Sequence, residues 1–542
     1  MGIPGLARRL EPYASHYSSE QLDGYTAIVD GPSLAYYAHK LALSTAGSQF
    51  KIPSYADINT EAIRWLDSLE KSNIKVSNIV FDGALPQAKR AERVSRTEQN
   101  NRRIHQFRAS YPNATCPVPT YLGAISYAFL APSLMEALCN QSSAYASRTR
   151  IVPGEADDSC ALHAKELARS LIFTSDSDLA LYEYPQETLI VFFHDAVSST
   201  GGTKAYSPHQ VRQKLQLTSL LPFALAILRD PSVTSDIIVN NARKIKLESS
   251  EYLSFSARYN EEISTPSYLS KNNGRSLPMQ DLDVRVSEFV HQALSQPSQH
   301  PLVYLPLLLE DPNQASAWNM GQDIRTLAYS LLHSSTVHEY KRKAQVIAVQ
   351  EISPYSHANL QVPATDIERQ ISVLMTWASS KSVGPELVWP LFALSIVLGD
   401  LNTPPPIPLV LRVLNGDFDN NWAFIQFSAR IQAVLYSLRM LKQVVAVWLA
   451  INETAKIHEV VKSLHNHMTS FPSIPDMFTV SGQGKKVLAE HEELKTLVEE
   501  IYTSAGAEVP TEQVSNKKKK RQAREAERKK RKVEQRQQQS RS

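Results

Sequence analysis

Short apolar runs that each lead into acidic residues constrain the first 200 residues more than any other feature of this chain. Tyr25–Asp30 reads YTAIVD and Ser77–Asp82 reads SNIVFD. Arg148–Pro153 (RTRIVP) leads into Glu155, Asp157 and Asp158, and Leu171–Ser175 (LIFTS) leads into Asp176 and Asp178. With Leu189–His194 (LIVFFH), these short, β-branched runs predict buried strands. Helical patterns separate them, over Asn59–Ser72, Pro86–Arg108, Ala124–Asn140 and Ala156–Ser170. Alternating strand and helix predict an α/β fold, a mostly parallel central sheet flanked by helices. Ligands of such sheets bind beyond the carboxyl ends of the strands, where all of these acids would fall.

A single Asp after a strand is usually a helix cap or a turn residue. Asp157 or Asp158 alone would suit the first turn of a helix through its dipole. Four such sites along one sheet edge reverse that balance. Crowded carboxylates raise one another's pKa unless cations neutralise them. A set of hard oxygen donors selects Mg²⁺ or Mn²⁺ over zinc. Two such ions about 4 Å apart can activate a water and stabilise the leaving oxygen of a phosphodiester. In TSDSD, carboxylates at i and i+2 in extended backbone point to the same side.

At these residues the chain resembles the XPG/flap-endonuclease family, with its PIN-like core, and more closely the asteroid-like branch. MGIPGL matches the family's opening, whose terminus, here Gly2, lies near the active site. IVDGPSLAY and VFDGALPQAKR are similar to its first two Asp motifs, GEADDSCA to its E-A-E segment and TSDSDLALY to its T-x-D-x-D segment. Ser316–Leu332 (SAWNMGQDIRTLAYSLL) resembles the asteroid branch. The resemblance implies metal-dependent cleavage of DNA, or RNA, at junctions of single and double strand. It implies Asp30, Asp82, Glu155 and Asp157 as one ligand group and Asp176 and Asp178 as the other, around two Mg²⁺ or Mn²⁺ ions. The family's seventh carboxylate has Asp230 as its nearest counterpart, without the usual flanking glycine and tyrosine. Nor does any glycine occur between Gly202 and Gly274, where the family carries a glycine-rich duplex clamp.

Pro86–Arg108 carries Lys89, Arg90, Arg93, Arg96, Arg102, Arg103 and Arg108 just after Asp82. On a helix Lys89, Arg93 and Arg96 share a face. The resemblance makes this the gateway region, with Lys89 and Arg96 as its phosphate-contacting pair and Gly2, Arg90, Arg93, Arg102 and Arg103 as further nucleic-acid contacts. A solvated charged helix is the alternative.

The net charge of +3 hides an asymmetry. Residues 517–542 hold 13 Lys and Arg against 3 Glu, which leaves 44 basic and 51 acidic residues elsewhere. Within this tail, Lys517, Lys518, Lys519 and Lys520 with Arg528, Lys529, Lys530, Arg531 and Lys532 read as a nuclear-localisation signal, or as a non-specific nucleic-acid contact. Cys116, Cys139 and Cys160 lack zinc-ligand spacing. The apolar run Val388–Leu398 is too short to span a bilayer. The expected organisation is a nuclease domain over 1–245, a mainly α-helical domain over 246–509, and a disordered basic tail over 510–542. Residues 251–276 are expected to form a polar loop. The expected function is metal-dependent phosphodiester hydrolysis by a nuclear monomer acting on flap, overhang or single-stranded DNA, with no membrane partner. The alternative is an inactive PIN-like scaffold that binds RNA or protein.

Overall fold

The structure, a computed structural model, describes residues 2–45, 53–84, 86–112, 127–196, 202–259, 277–295, 299–356, 358–416, 421–452, 455–478 and 491–509. The tail residues and Cys116 lie outside these ranges.

Strand β1 (Ser15–Tyr17) is followed by β2 (Thr26–Asp30), β3 (Lys75–Phe81), β4 (Thr149–Ile151), β5 (Arg169–Thr174), β6 (Glu187–Phe192) and β7 (Thr203–Ala205). Five of these form a sheet in the order β4-β3-β2-β5-β6, with every pairing parallel. β1 and β7 make a separate antiparallel pair. The sheet is covered on both faces, so its strands are apolar throughout. Alternate residues of β2 serve opposite layers. Ala27 and Val29 pack with Leu34, Leu66 and Leu138 from helices Gly31–Thr45, Tyr55–Lys71 and Leu130–Cys139. Ile28 packs with Leu6, Ala161 and Phe223 from helices Leu6–Leu10, Ala156–Lys165 and Leu221–Arg229. Tyr55–Lys71 starts sharply because Ser54 and Asp57 close a reciprocal capping box.

The second half is built around Trp422–Ile451, a helix of 30 residues. By length and composition this helix could cross a bilayer, but 72% of its most apolar stretch is buried inside the protein. Gln322–Leu332 and Pro385–Asp400 pack along it. Its buried side chains join those of the β-sheet's first layer in one cluster running from Leu22 to Tyr502.

Few strands were expected here, yet the chain forms a three-stranded sheet of β8 (Leu302–Tyr304), β9 (Val337–Lys343) and β10 (Val346–Ile352). β9 escapes the alternation rule because Glu339, Lys341 and Arg342 are buried within it. Glu339 pairs with Arg325 at 2.7 Å and Arg342 with Glu310 at 2.6 Å. Arg325 also donates to the carbonyls of Trp318 and Met320 and to Ser437 Oγ. The Ser316–Leu332 segment is therefore an internal fastening, and Trp318 Nε1 donates to the Pro306 carbonyl at 2.7 Å. The expected polar loop is corrected over residues 251–259, while residues 260–276 of it lie outside the described residues. Ser250–Ser256 is a helix N-capped by Ser249, and Ala257–Tyr259 is a single 3₁₀ turn. Buried Tyr252 and Phe255 give it the apolar side that its polar composition hides.

Candidate active site

The parallel sheet sets the carboxylates along one edge. Asp30 is the last residue of β2 and is 5% exposed. It accepts from Ser33 N at 3.1 Å, Ser33 Oγ at 2.5 Å and Thr174 Oγ1 at 2.8 Å. Thr174 thus ties the end of β5 to the end of β2. Asp82 follows β3 directly and its Oδ1 accepts from Ala156 N at 2.8 Å, the first amide of the helix Ala156–Lys165. The chain between them depends on Gly83, where a Cβ would lie 1.8 Å from the Val152 carbonyl. Glu155 is the cap residue of that helix and Asp157 lies in its first turn.

Asp176 and Asp178 follow β5, and the amino-terminal segment closes over them. Gly2 N donates to Asp176 Oδ1 at 2.7 Å and Ile3 N to Asp178 Oδ1 at 2.6 Å. A Cβ on Gly2 would lie 2.1 Å from Asp178 Oδ1 and 2.4 Å from Asp176 Oδ1, so a larger residue would have to push these carboxylates aside. Two hydroxyls complete the pocket: Tyr259 donates to Asp178 Oδ2 at 3.0 Å and Tyr182 to Asp158 Oδ1 at 2.6 Å.

The acids are close enough to act on one another. Burial raises Asp30 to about 6, against the pull of Ser33, and Asp82 adds to the rise. Burial and then Asp176 raise Asp178 to about 6. Asp157 is pushed well above the ordinary range by burial, then by Asp176 and Asp30. Burial would raise Asp176 too, but the amino-terminal charge and the amides of Asp178 and Gly2 hold it low. These are the costs expected of a pocket rich in negative charge.

Among the described side chains, Lys89 brings a cation into it. Lys89 Nζ lies 2.5 Å from Glu155 Oε2. Burial lowers the Lys89 pKa, but Glu155 and then Asp157 and Asp176 more than offset this and leave it raised. Lys89 ends a 3₁₀ turn, Gln87–Lys89, that leads into the helix Arg90–Ser110. The expected basic face divides along this helix. Arg96 pairs with Glu92, Arg102 with Glu98, and Arg103 donates to Asn100, all in exposed positions. Arg93 instead pairs with buried Glu288 at 2.5 Å and lies over the Tyr304 ring, while Arg108 pairs with Asp311 at 3.0 Å. Arg90 lies near enough to Glu288 to stabilise its charge. Asp230 caps its own turn after Leu221–Arg229, accepting from Ser232 N and Oγ.

The donor set is all oxygen and carries excess negative charge, which fits hard divalent cations in kind. Its spacing is relaxed: among the described residues no three His, Cys, Asp or Glu side chains stand close enough together to hold a metal ion. Lys89, Tyr259 and backbone amides each bond to carboxylate oxygens of the pocket, at Glu155, Asp178 and Asp82. Sequence patterns located the acids, and Ser33, three residues after Asp30 at a helix start, follows a familiar capping spacing. Tyr182 and Tyr259 carry no such signal.

The family model described as XPG domain containing matches residues 126–353 of this chain. The chain is also similar to the asteroid branch. It is 25% identical to Asteroid homolog 1 of Schizosaccharomyces pombe over 346 residues, 61% of this chain and 60% of that protein. The chain thus spans less than two thirds of that relative's length. Human GEN1, solved with Holliday junction DNA, overlays with a TM-score of 0.31 and 17% identity over 48% of this chain and 60% of GEN1. The catalytic core of Rad2 with a DNA substrate overlays at 0.32 and 16% identity, covering 52% of this chain and 97% of Rad2's.

Proposed function

We propose that this protein is a structure-specific nuclease that hydrolyses phosphodiesters of DNA at junctions of single and double strand, or at overhangs, with RNA as a second substrate class. The observation that carries the proposal is the gathering of Asp30, Asp82, Glu155, Asp157, Asp176 and Asp178 at one sheet edge at a visible electrostatic cost. Such a cost has no structural benefit unless cations or substrate offset it. The chemistry supplied by a bound pair of Mg²⁺ or Mn²⁺ ions is activation of a water and neutralisation of the leaving oxygen. The side chains hold and orient: Asp30, Asp82, Glu155 and Asp157 form one group and Asp176 and Asp178 the other. Lys89, released from Glu155, binds the scissile phosphate and balances its developing charge. Arg96, Arg102 and Arg103 meet the strand on the exposed face of the gateway helix.

A second reading has its own support. The internal bonding of the carboxylates and their relaxed spacing suit a scaffold that binds nucleic acid or protein without cutting. A panel of labelled flap, overhang, hairpin and single-stranded DNA, with matching RNA, decides between them. Cleavage in Mg²⁺ or Mn²⁺ that stops in chelator supports the nuclease. Binding without cleavage on every substrate leaves the scaffold.

The basic tail is proposed to direct nuclear import of a monomer whose functional units divide near residues 245 and 509. A fluorescent fusion lacking 515–542 is expected to shift to the cytoplasm with its thermal midpoint unchanged. Undiminished nuclear accumulation would overturn the targeting role.

A further inference from the structure

Asp178 is held at both of its oxygens, and one holder comes from an element with no place among the sequence motifs. Oδ1 accepts from Ile3 N at 2.6 Å, and Oδ2 accepts from the Tyr259 hydroxyl at 3.0 Å. Tyr259 is itself fixed. Its ring stands edge-on to Tyr182, with centroids 5.6 Å apart, and is tilted against Phe255 at 5.5 Å. Phe255 belongs to the helix Ser250–Ser256, which buries Tyr252 and Phe255 and is tied to Leu221–Arg229 by the Arg229–Glu251 ion pair. The helix and the turn after it therefore present one hydroxyl to one carboxylate from a rigid base.

We infer that Tyr259 is a positioning residue that orients Asp178 toward a divalent cation, so that this turn completes the carboxylate pocket. The inference rests on the nuclease reading of the pocket. A phenol does what a further carboxylate cannot: it donates to Asp178, leaving the carboxylate ionised and aimed without adding negative charge to an already crowded site. Asp230, the nearest counterpart of the family's seventh carboxylate, bonds through Oδ1 to Ser232 of its own turn. Partners of metal ligands that act through a hydrogen bond typically govern affinity by ~10- to 100-fold.

The test is the thermal midpoint of the full chain, freed of metal by chelation and then titrated with Mn²⁺. Tyr259→Phe removes the hydroxyl and keeps the ring between Tyr182 and Phe255. It is expected to leave the metal-free midpoint unchanged and to raise the Mn²⁺ concentration at half effect by ~10-fold or more. Tyr182→Phe, which frees Asp158 instead, is expected to titrate like the wild type. If Tyr259→Phe and wild type share one half-effect concentration, the positioning role is overturned and the metal pocket stands, whether or not the metal-free midpoint falls. If the wild type does not respond to Mn²⁺, both are overturned.

Discussion

Lys89 Nζ lies 2.5 Å from Glu155 Oε2, so the first cation of the gateway is paired with the cap of the helix that carries Asp157. An ammonium at that point is an internal counterion for the acidic pocket, and it shares the work of neutralising it with any bound cation. Two of the remaining gateway cations serve another end. Arg93 and Arg108 fasten the helix Arg90–Ser110 to the second half of the chain, through Glu288 and Asp311. Asn101 Nδ2 adds a bond to the Gln345 carbonyl at the β9–β10 turn.

Lys89 and Arg96 are consequently expected to differ as mutants. Lys89→Ala should lower cleavage by ~10²–10³-fold, the scale for losing one preorganised donor aimed at developing charge. Arg96→Ala should cost much less, since its guanidinium is exposed and paired with Glu92 on its own helix. Single-turnover rates on a flap substrate at saturating Mg²⁺ measure both. Equal losses would mean that the two act as a pair, as the sequence motif alone suggests.

The pocket makes a specific prediction for pH. Asp30 and Asp178 titrate near 6 in the folded protein, above the ordinary aspartate value of 3.8. Between those values the folded state binds more protons than the unfolded chain, so stability falls as pH rises through the window from about 4 to 6. Asp157, also raised, adds to the fall. Asp176, held low, contributes with the opposite sign, and its share is lost as pH drops below about 4. Metal-free protein is therefore expected to melt at a higher temperature near pH 5 than at pH 7.5 as far as these groups decide it. Divalent metal, which prefers the ionised acids, should flatten or reverse the trend. Thermal midpoints across pH 4.5–8, in chelator and in Mn²⁺, give the answer.

The sheet was legible because parallel strands buried on both faces leave an unbroken apolar signature, and each of β2, β3 and β5 places an acid at its end. The acids of the pocket were legible for the same reason. The β8–β10 sheet was not, because β9 fills its interior positions with Glu339, Lys341 and Arg342, whose pairing is invisible in one dimension. Arg93 and Arg108 were read with the surface cations for a related reason: sequence spacing gives a helix face, while only packing shows what that face meets. Tyr259 was missed because a tyrosine in a polar stretch has no periodicity to stand out from.

Arg325 offers a test of that hidden interior. Both Arg325 and Glu339 are fully buried, and Tyr329 donates to Glu339 Oε1 at 2.7 Å. Arg325→Met should destabilise the fold by ~3–5 kcal/mol, because it strands a buried carboxylate. Arg325→Met combined with Glu339→Leu should recover much of that loss, since no charge is then left unpaired. Urea unfolding of the two variants and the wild type separates them. An equally large loss in the double variant would mean that the ion pair itself, and not the stranded charge, dominates.

The decisive pair for the active site is Asp176 and Asp178, the two acids that the amino-terminal segment reaches. Changing both to Asn preserves size and one acceptor oxygen on each side chain while removing two negative charges. Relief of repulsion opposes the loss of the favourable charge at Asp176 and of one acceptor at Asp178, so the metal-free midpoint of the double variant is measured beside the wild type to guard against reading misfolding as loss of function. A ligand that binds only the folded state adds about 2.7 kcal/mol at a hundredfold excess over its dissociation constant. Wild-type protein should therefore melt several degrees higher in saturating Mg²⁺ or Mn²⁺ than in chelator, and the double variant should show neither that rise nor cleavage. A metal-induced rise that survives in the double variant would place the cations elsewhere in the pocket. Cleavage that survives would remove Asp176 and Asp178 from the catalytic set altogether.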